Sequence, residues 1–447
     1  MNVTRAGRPS RPARFMLATY AAALAPLGFS VPASAAAIET AQSSGRSVDA
    51  FYAATGGRPI WFGPTMADPS AATALIELLR SAEADGLITS DYPIAALEEA
   101  VRELGAGDLN SIRRADRLFS NVFVRFASDQ RRISPDGMIW VDRSLKPSET
   151  ADQALLDAFA SSESQRAYIA EMRWMNPIYM GLRDALSRGG HDAEEEKLLR
   201  LNLERARALP EPRGRYVIVN GSAARLAMFE GAREVDSMRV VVGKPAQATP
   251  MMAALIRYTS LNPYWNVPPD LTAERIAPNV VKEGLSYLQK KGYQVLSSWG
   301  DDARLIDPAT VDWKAVAEGR DKIRVRQLPG PENAMGQMKF MFPNSQGVYL
   351  HDTPQKELLA EASRMFSGGC VRLEDAPRFA RWLYGRDLQP SGAAPEQAVR
   401  LNDAVPVYIT YLTAVPEGGK IAHYRDVYGR DRQALAERGV AGELVSR

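Results

Sequence analysis

The stretch RYVIVNGSAARLAMFEGAREVDSMRVVVG, residues 215–243, marks a change in the chain from helical to β periodicity. Its β-branched and aromatic runs are separated by Asn220-Gly221 and Glu230-Gly231, dipeptides that favour tight turns between antiparallel strands. Strand-like segments return further on as KIRVRQ, QMKFMF, QGVYLHD and VPVYITYLTAV. Residues 214–447 are therefore predicted to form a mainly β domain.

Upstream of this stretch the pattern is helical. In DPSAATALIELLRSAEADGL, residues 68–87, Leu75, Leu78, Leu79 and Ala82 recur at helical spacing, and Gly86 suits a helix C-terminus. No metal cluster or phosphate-binding loop occurs in this half of the sequence. Residues 36–213 are predicted to be a helical scaffold domain, which makes the fold class α+β.

Helical spacing also returns inside the β domain, between Pro268 and Gly319. RIAPNVVKEGLSYLQKKG and DPATVDWKAVAEG both read as helices. An insertion of this kind in a β domain often serves as a lid over a binding site. A purely structural excursion fits the sequence equally well, so residues 268–319 are predicted only to be a helical capping insertion.

The amino terminus has the pattern of a secretory signal. Four arginines up to Arg14 precede a charge-free run that ends in Ala33-Ser34-Ala35, a small-residue cleavage pattern. The run is interrupted by prolines and is short for a membrane span. Residues 1–35 are predicted to be a signal peptide removed on export, with an uncleaved anchor helix as the alternative.

The overall composition limits the classes of function. The chain has 55 basic and 53 acidic residues, and four of the basic residues lie in the predicted signal peptide. This balance does not indicate nucleic-acid binding, which requires a strong basic excess. With one cysteine among 447 residues, the chain cannot form an internal disulfide. In an exported protein that cysteine is either a reactive thiol or a buried structural residue.

The lone cysteine lies in HDTPQKELLAEASRMFSGGC, residues 351–370, a segment that begins with one of only three histidines. A strand end at His351, a helix starting after Thr353 and a turn at the glycines would bring Cys370 back to face His351. A thiol is largely protonated at neutral pH and only the thiolate attacks well, so a neighbouring histidine base would activate it. Cys370 and His351 are therefore the predicted catalytic pair.

The residues around this pair suggest supporting roles. The carbonyl or carboxylate of Asp352 could hold the second nitrogen of the imidazole. Gly368 and Gly369 permit backbone angles closed to other residues, and the N–H groups of Gly369 and Cys370 could face an oxyanion, a contribution of about 3–4 kcal/mol. Arg372 could bind a substrate carboxylate, although an ion pair with Glu374 or Asp375 is the simpler expectation from spacing alone.

A zinc site is the other interpretation of a Cys/His pair, and the sequence argues against it. Zinc requires three or four protein ligands, and the two remaining histidines, His191 and His423, each stand alone in polar surroundings. No metal and no cofactor are predicted.

His351, fifteen residues, then Ser367-Gly368-Gly369-Cys370-Val371-Arg372 resembles the signature of the L,D-transpeptidases with a YkuD-type catalytic domain. VVVGKPAQATP, LNPYWNVPPDL, RQLPGPENAMGQMKFMFPN and VYLHDTP resemble the catalytic half of the large periplasmic subclass, and RPIWF and NPIYMGLRDAL resemble its scaffold domain. The resemblance implies a sandwich-like catalytic domain. Two features depart from the pattern: Gly368 stands where the family usually has histidine, and no segment resembles a peptidoglycan-binding module.

The resemblance also implies an activity and a periplasmic location. Cys370 would attack a donor tetrapeptide stem of peptidoglycan, form a thioester and pass the acyl group to the side-chain amine of an acceptor stem, giving a 3→3 crosslink. His351 would be the base, and Arg372, Asn333 and Trp265 would lie near the substrate. Carbapenem-type inhibitors would acylate the same thiol.

Three alternatives remain open from the sequence. Hydrolysis of the same thioester would make the protein an L,D-carboxypeptidase or endopeptidase on the same stems. Loss of activity through Gly368 would leave a catalytically silent wall-binding scaffold. A thiol peptidase of unrelated fold is the third.

Overall fold

The stretch that opens the β domain forms the antiparallel meander that its turns predict. Strands β2 (Arg215–Asn220), β3 (Arg225–Glu230) and β4 (Arg233–Gly243) follow one another. Val217 pairs with Met228, and Leu226 pairs with Met238. The Asn-Gly and Glu-Gly signals therefore lie at the two connections, as expected.

The computed structural model describes residues 47–63, 69–104, 108–133, 137–147, 152–300 and 302–445, with main chain only at 439–445. The predicted signal peptide, residues 1–35, lies outside these residues. Among the helices described, none combines the length and the apolar character needed to cross a bilayer.

The large sheet closes on itself. Its strands follow the order β1-β5-β13-β2-β3-β4-β12-β10-β9, and β9 pairs again with β5. Strand β11 pairs with β4 off this path, and β14 and β15 form a separate hairpin. Besides the meander, the strands are β1 (Ile139–Trp140), β5 (Met252–Leu261), β9 (Met338–Met341), β10 (Leu350–His351), β11 (Met365–Ser367), β12 (Val371–Leu373), β13 (Gln397–Thr410), β14 (Ala414–Glu417) and β15 (Lys420–His423).

Strand β2 is buried on both faces, which explains why its sequence is a continuous apolar run. Val217 and Val219 point into the core enclosed by the sheet, together with Val240 and Phe340. Tyr216, Ile218 and Ala227 point the other way and belong to the core of the helical region. The two regions therefore share one packed boundary along β2, β3 and β13.

The helical region forms as its periodicity predicts. Its longest helix, α4, begins after Asp108, whose carboxylate accepts from the N–H of Ser111, and it buries Phe119, Phe123 and Phe126. The helices of this region are α1 (47–54), α2 (Ser70–Arg80), α3 (Ile94–Glu103), α4 (Leu109–Arg131), α5 (Asp152–Ala160), α6 (Gln165–Ala170), α7 (Pro177–Arg188) and α8 (Ala193–Ala206). Helix α13 (Ala376–Tyr384) packs on the core enclosed by the sheet, and helix α14 (Arg430–Val445) contacts α8, with Arg438 paired to Glu204.

The capping insertion has its own small core around Leu271, Val280, Leu288 and Trp313. It contains the expected helices and also a strand, so it is mixed rather than purely helical. Strand β8 pairs with β6 and β7 in a separate sheet. Its elements are β6 (Trp265–Val267), α9 (Pro269–Leu271) with a π turn at Thr272–Ile276, α10 (Ala277–Glu283), α11 (Ser286–Lys290), β7 (Tyr293–Leu296), α12 (Trp313–Ala317) and β8 (Arg324–Gln327).

The helix predicted between His351 and Cys370 is wrong. Only one 3-10 turn forms there, Lys356–Leu359, and Met365–Ser367 is strand β11. Met365 pairs with Val242 of β4, so the sheet and not a helix holds this part of the segment. The chain still returns so that Cys370 comes beside the strand that ends at His351.

Candidate active site

The predicted nucleophile and base lie on neighbouring parallel strands. Cys370 immediately precedes β12, and His351 ends β10, with Leu350 opposite Val371 and His351 opposite Arg372. Leu350 and Val371 point into the core. Because side chains alternate along a strand, Cys370 and His351 lie on the opposite face, diagonally across the strand pair. The fold therefore brings the two predicted catalytic residues together.

His351 is held in the form that a base requires. The ring is 2% exposed, and its Nδ1 lies 2.5 Å from the carbonyl oxygen of Asp352. A carbonyl only accepts hydrogen bonds, so Nδ1 carries the proton and Nε2 keeps its lone pair. Burial, reinforced by the charge of Arg372, lowers the pKa of His351 to about 3. The imidazole is therefore neutral at physiological pH.

Of the two groups proposed for Asp352, the backbone carbonyl orients the imidazole. The carboxylate points elsewhere: it accepts from the N–H of Gln337 at 3.0 Å and from Nζ of Lys356 at 2.7 Å. The carboxylate thereby links the residue that follows β10 to the residue that precedes β9 and to the 3-10 turn at Lys356.

Cys370 is partly accessible although the protein packs closely around it. Its Sγ lies 3.6 Å from the carbonyl oxygen of Gly347. Burial raises the pKa of the thiol, and the backbone N–H of Tyr349 and the charges of Lys339 and Arg372 partly offset this rise. The resting pair is therefore a thiol beside a neutral imidazole, and deprotonation must accompany attack.

The glycine turn before Cys370 is fixed by hydrogen bonds. Gly369 has φ +114° and donates its N–H to Oγ of Ser367 at 3.1 Å, while its carbonyl accepts from Thr249 at 2.8 Å. The prediction that the Gly369 N–H faces an oxyanion is therefore wrong, because that N–H is already used. Of the predicted pair of donors, the N–H of Cys370 is the one that remains a candidate.

Gly368 stands in a space bounded by two side chains. A Cβ at this position would lie 3.3 Å from Oε1 of Gln247 and 3.5 Å from Cδ1 of Leu271 in the cap. The same glutamine donates to the carboxylate of Asp270 at 3.0 Å. Gln247 thus joins the cap to the turn that carries the thiol, next to the position where the family usually has histidine.

Arg372 does not form the ion pair expected from spacing. Glu374 pairs with Arg239, and Asp375 caps α13. Arg372 instead donates from Nη1 to Oε1 of Gln355 at 2.7 Å, and its buried Nε has no hydrogen-bond partner within the described residues. Arg372 lies opposite His351 on the neighbouring strand.

Asn333 and Trp265 both make contacts within the fold. Asn333 is 1% exposed, and its amide bonds the carbonyls of Pro263 and Leu328 and the N–H of Met335. These bonds use the amide inside the fold, which contradicts the predicted substrate contact. Trp265 packs against the core of the cap.

The other two histidines meet at a carboxylate that the sequence did not connect with them. Nδ1 of His191 and Nε2 of His423 lie 3.2 and 3.5 Å from the two oxygens of Glu195. They therefore do not stand alone. Within the described residues, no group of three histidine, cysteine or acidic side chains is placed to hold a metal ion.

Sequence reasoning missed Lys339, which lies opposite His351 on β9. Its Nζ lies 3.6 Å from the ring centroid of Tyr349. A charged residue within the apolar run QMKFMF was the available signal. Lys339, His351, Tyr349, Arg372 and Cys370 share one face of the sheet.

Two family models match the sequence. Residues 214–409 match the L,D-transpeptidase catalytic domain, YkuD, and residues 46–186 match a scaffold domain. The helical region followed by a mainly β region confirms the α+β fold class that the sequence predicted.

One similar curated protein, from Haemophilus influenzae, is named as a candidate L,D-transpeptidase. It is 32% identical over 247 residues, which are 54% of this chain and 49% of the relative. The chain thus spans about half the length of that relative. The chain was also compared with a solved L,D-transpeptidase from Mycobacterium smegmatis. That match covers 44% of this chain and 58% of the other chain, with 13% sequence identity and a TM-score of 0.22. A likeness this weak carries no argument.

Proposed function

Since this chain carries a YkuD-type L,D-transpeptidase catalytic domain together with a scaffold domain, we propose that it crosslinks peptidoglycan stem peptides through a thioester on Cys370. The observation that carries the proposal is the pairing of β10 with β12, which puts a neutral imidazole and a thiol on one face. The periplasm is the proposed location, because its substrate is there.

The first half-reaction transfers the donor stem to the enzyme. Nε2 of His351 takes the thiol proton as Sγ of Cys370 attacks the carbonyl of the third residue of a tetrapeptide stem. The N–H of Cys370 faces the developing oxyanion. The terminal residue leaves as an amine that takes the proton from His351, and the acyl group remains on sulfur as a thioester.

The second half-reaction forms the crosslink. The side-chain amine of an acceptor stem attacks the thioester, His351 accepts the proton that the nitrogen sheds, and the sulfur leaves and regains it. The product is a 3→3 crosslink. The positive charges of Arg372 and Lys339 near the thiol suit substrates that carry carboxylates.

A muropeptide assay tests the reaction. Purified protein is incubated with disaccharide-tetrapeptides, and the products are separated and weighed. The proposal predicts dimers joined between two third residues. Trimmed monomers without dimers would instead identify an L,D-carboxypeptidase, and linear products from added crosslinked dimers would identify an endopeptidase.

A silent wall-binding scaffold would give none of these products. Carbapenem exposure separates that alternative cheaply, because a working thiol gains the mass of the drug and Cys370→Ala does not. A protein that binds isolated peptidoglycan but never gains that mass would be the silent scaffold.

A further inference from the structure

The turn that carries the thiol, residues 367–370, is held from two sides. Within the turn, Oγ of Ser367 accepts from the N–H of Gly369 at 3.1 Å and donates to the carbonyl oxygen of Cys370 at 2.6 Å. From outside the turn, Oγ1 of Thr249 donates to the carbonyl oxygen of Gly369 at 2.8 Å. Among the backbone groups of Gly369 and Cys370, only the N–H of Cys370 then has no hydrogen-bond partner within the described residues.

The hydroxyl of Thr249 has a defined direction. Thr249 is 2% exposed, and its Oγ1 also accepts from the N–H of Gly243 at 2.9 Å. A backbone N–H only donates and a carbonyl only accepts, so the single hydroxyl hydrogen is directed at Gly369. Rotation of the side chain away from Gly369 would leave buried polar groups unpaired, which costs free energy.

The main chain around Thr249 is itself held in place. Arg430 donates from Nη2 to the carbonyl oxygen of Thr249 at 2.9 Å, and the hydroxyl of Tyr428 donates to the carbonyl oxygen of Gly243 at 2.7 Å. Gly243 lies opposite Ser367 where β4 pairs with β11. The hydroxyl of Thr249 therefore stands on a segment that is fixed beside the turn that it contacts.

One peptide unit joins this contact to the candidate oxyanion donor. The carbonyl of Gly369 and the N–H of Cys370 belong to the same peptide unit, which is trans and planar. In such a unit the two groups point in opposite directions, so a bond that holds the carbonyl towards Thr249 holds the N–H away from it. A hydrogen bond to the carbonyl also polarises the peptide unit and strengthens its N–H as a donor.

Gly369 makes an outside contact necessary. Its φ of +114° lies where glycine is favoured, and the lack of a Cβ allows the following peptide unit to rotate. Rotation would turn the carbonyl of Gly369 towards the place where negative charge develops and would turn the N–H of Cys370 away from it. The glycine that lets the turn form therefore requires a partner that fixes its carbonyl.

We propose that Thr249 is a positioning residue for acylation, which aims the N–H of Cys370 at the developing oxyanion by holding the carbonyl of Gly369. As Sγ of Cys370 bonds to the acyl carbon, the π electrons of the carbonyl move to its oxygen, and the N–H stabilises that charge until the C–N bond breaks. His351 takes the thiol proton and gives it to the leaving nitrogen. Thr249 acts through the peptide unit and exchanges no proton with the substrate. This inference rests on the proposed function and adds a residue to its site.

Two reactions of the same thiol separate positioning from general reactivity. A carbapenem acylates Cys370 through attack on a carbonyl, which develops an oxyanion, whereas iodoacetamide alkylates it by displacing iodide at a saturated carbon. For Thr249→Val, which removes the hydroxyl and keeps the shape, we expect acylation to slow by about 10–100-fold, less than the loss of a whole oxyanion donor. Alkylation should stay within about threefold of wild type, because it depends on the reactivity of the thiolate.

Three further variants locate the effect. Thr249→Ser keeps the hydroxyl and should be acylated within about threefold of the wild-type rate. Thr410→Val makes the matched substitution at another threonine that is 2% exposed, whose Oγ1 has no hydrogen-bond partner within the described residues, and should change neither rate. Thr249→Ala removes the same hydroxyl with a smaller side chain, and its rates decide the question if Thr249→Val does not fold. Both rates come from intact mass against time, on samples whose folding is checked by circular dichroism.

The outcomes distinguish the inference from the proposed function. Slow acylation with unchanged alkylation in Thr249→Val or Thr249→Ala, restored in Thr249→Ser, would support the inference. It would be overturned alone by wild-type acylation without the hydroxyl, by an equal loss of both reactions, or by a serine variant as slow as the valine variant. A wild-type protein that is alkylated but never acylated would overturn the proposed function instead.

Discussion

Two buried polar sites in this protein differ in how completely their groups are paired. In the helical region, the carboxylate of Asp116 accepts from the N–H groups of Ile60, Trp61 and Phe62 and from the hydroxyl of Tyr52. On the sheet face near Cys370, by contrast, Lys339, Oγ of Ser260 and Nε of Arg372 lack hydrogen-bond partners within the described residues.

A second site in the helical region repeats the first pattern. Asp85 is fully buried, and it accepts from Arg183 at 2.9 Å, Tyr179 at 2.7 Å and Gln130 at 3.1 Å. Fully paired sites of this kind hold helices in place.

Single buried atoms without a hydrogen-bond partner also occur in the helical region, Nε of Arg131 among them. The lack of a partner therefore does not identify a functional site by itself, and what distinguishes Arg372 is its position opposite His351.

The largest expected effect in this comparison is on the acylation of Cys370. Cys370→Ala should lower acylation by a carbapenem at least about a thousandfold, because the sequence contains no second cysteine. The side chain is small and partly exposed, so the melting temperature should stay within a few degrees. Rates come from intact mass against time, and residual acylation at a tenth of the wild-type rate would remove Cys370 from its role.

The next effect tests the base. His351→Gln should slow acylation by about 10²–10⁴-fold, the usual contribution of a positioned base. His423→Gln is the matched control, since that histidine pairs with Glu195 and should leave the rate unchanged. Equal rates for wild type and His351→Gln would mean that another group accepts the thiol proton.

A substitution at the Asp116 site in the helical region should lower the stability of the protein and leave its acylation rate unchanged. Asp116→Asn places amide hydrogens against backbone N–H groups, so we expect unfolding free energy to fall by about 2–4 kcal/mol. The folded fraction should still be acylated at the wild-type rate. Urea titrations and acylation on the same sample measure both. A loss of acylation in fully folded protein would break the division between the two sites.

The buried imidazole makes stability depend on pH. The folded pKa of His351 lies near 3 and the unfolded value near 6.5, so the unfolded chain binds the proton first as pH falls. Stability is therefore lost on acidification from pH 6.5. From pH 7.5 to 5, wild type should lose about 2 kcal/mol relative to His351→Gln. If wild type and His351→Gln lost the same unfolding free energy between these two pH values, His351 would be protonated in the folded state.

The smallest effect is expected at Gly368. The Cβ of a histidine there needs only Gln247 to move by a few tenths of an ångström, because the contact at 3.3 Å is with the end of a flexible side chain. Gly368→His should shift the melting temperature by a few degrees at most and change acylation less than tenfold. A rise of a hundredfold would mean that the glycine is a lost catalytic group.

Local patterns account for what the sequence predicted. The continuous run of β2, the turns at Gly221 and Gly231 and the helical stripe of α2 are short-range features, and each formed as expected. Cys370 and His351 were predicted because their chemistry is rare in this sequence.

The errors have physical reasons. Met365 and Phe366 looked helical because apolar residues in a short run do not distinguish a helix from a strand, and pairing with β4 decided the outcome. The hydrogen bond from Asn333 to Pro263 and the position of Lys339 beside Ser260 depend on contacts between segments far apart in the chain. The N–H of Gly369 bonds Oγ of Ser367 only two residues away, through a turn geometry that apolar periodicity does not specify. No periodicity reports such contacts.

The thioester on Cys370 is the central claim, and one measurement tests it directly. Protein mixed with a disaccharide-tetrapeptide is quenched in acid and weighed intact, then digested to locate the adduct. The account predicts a gain equal to the donor minus its terminal residue, on the peptide that contains Cys370, and none in Cys370→Ala. Crosslinked or trimmed stems formed without any adduct, or formed equally by Cys370→Ala, would contradict it.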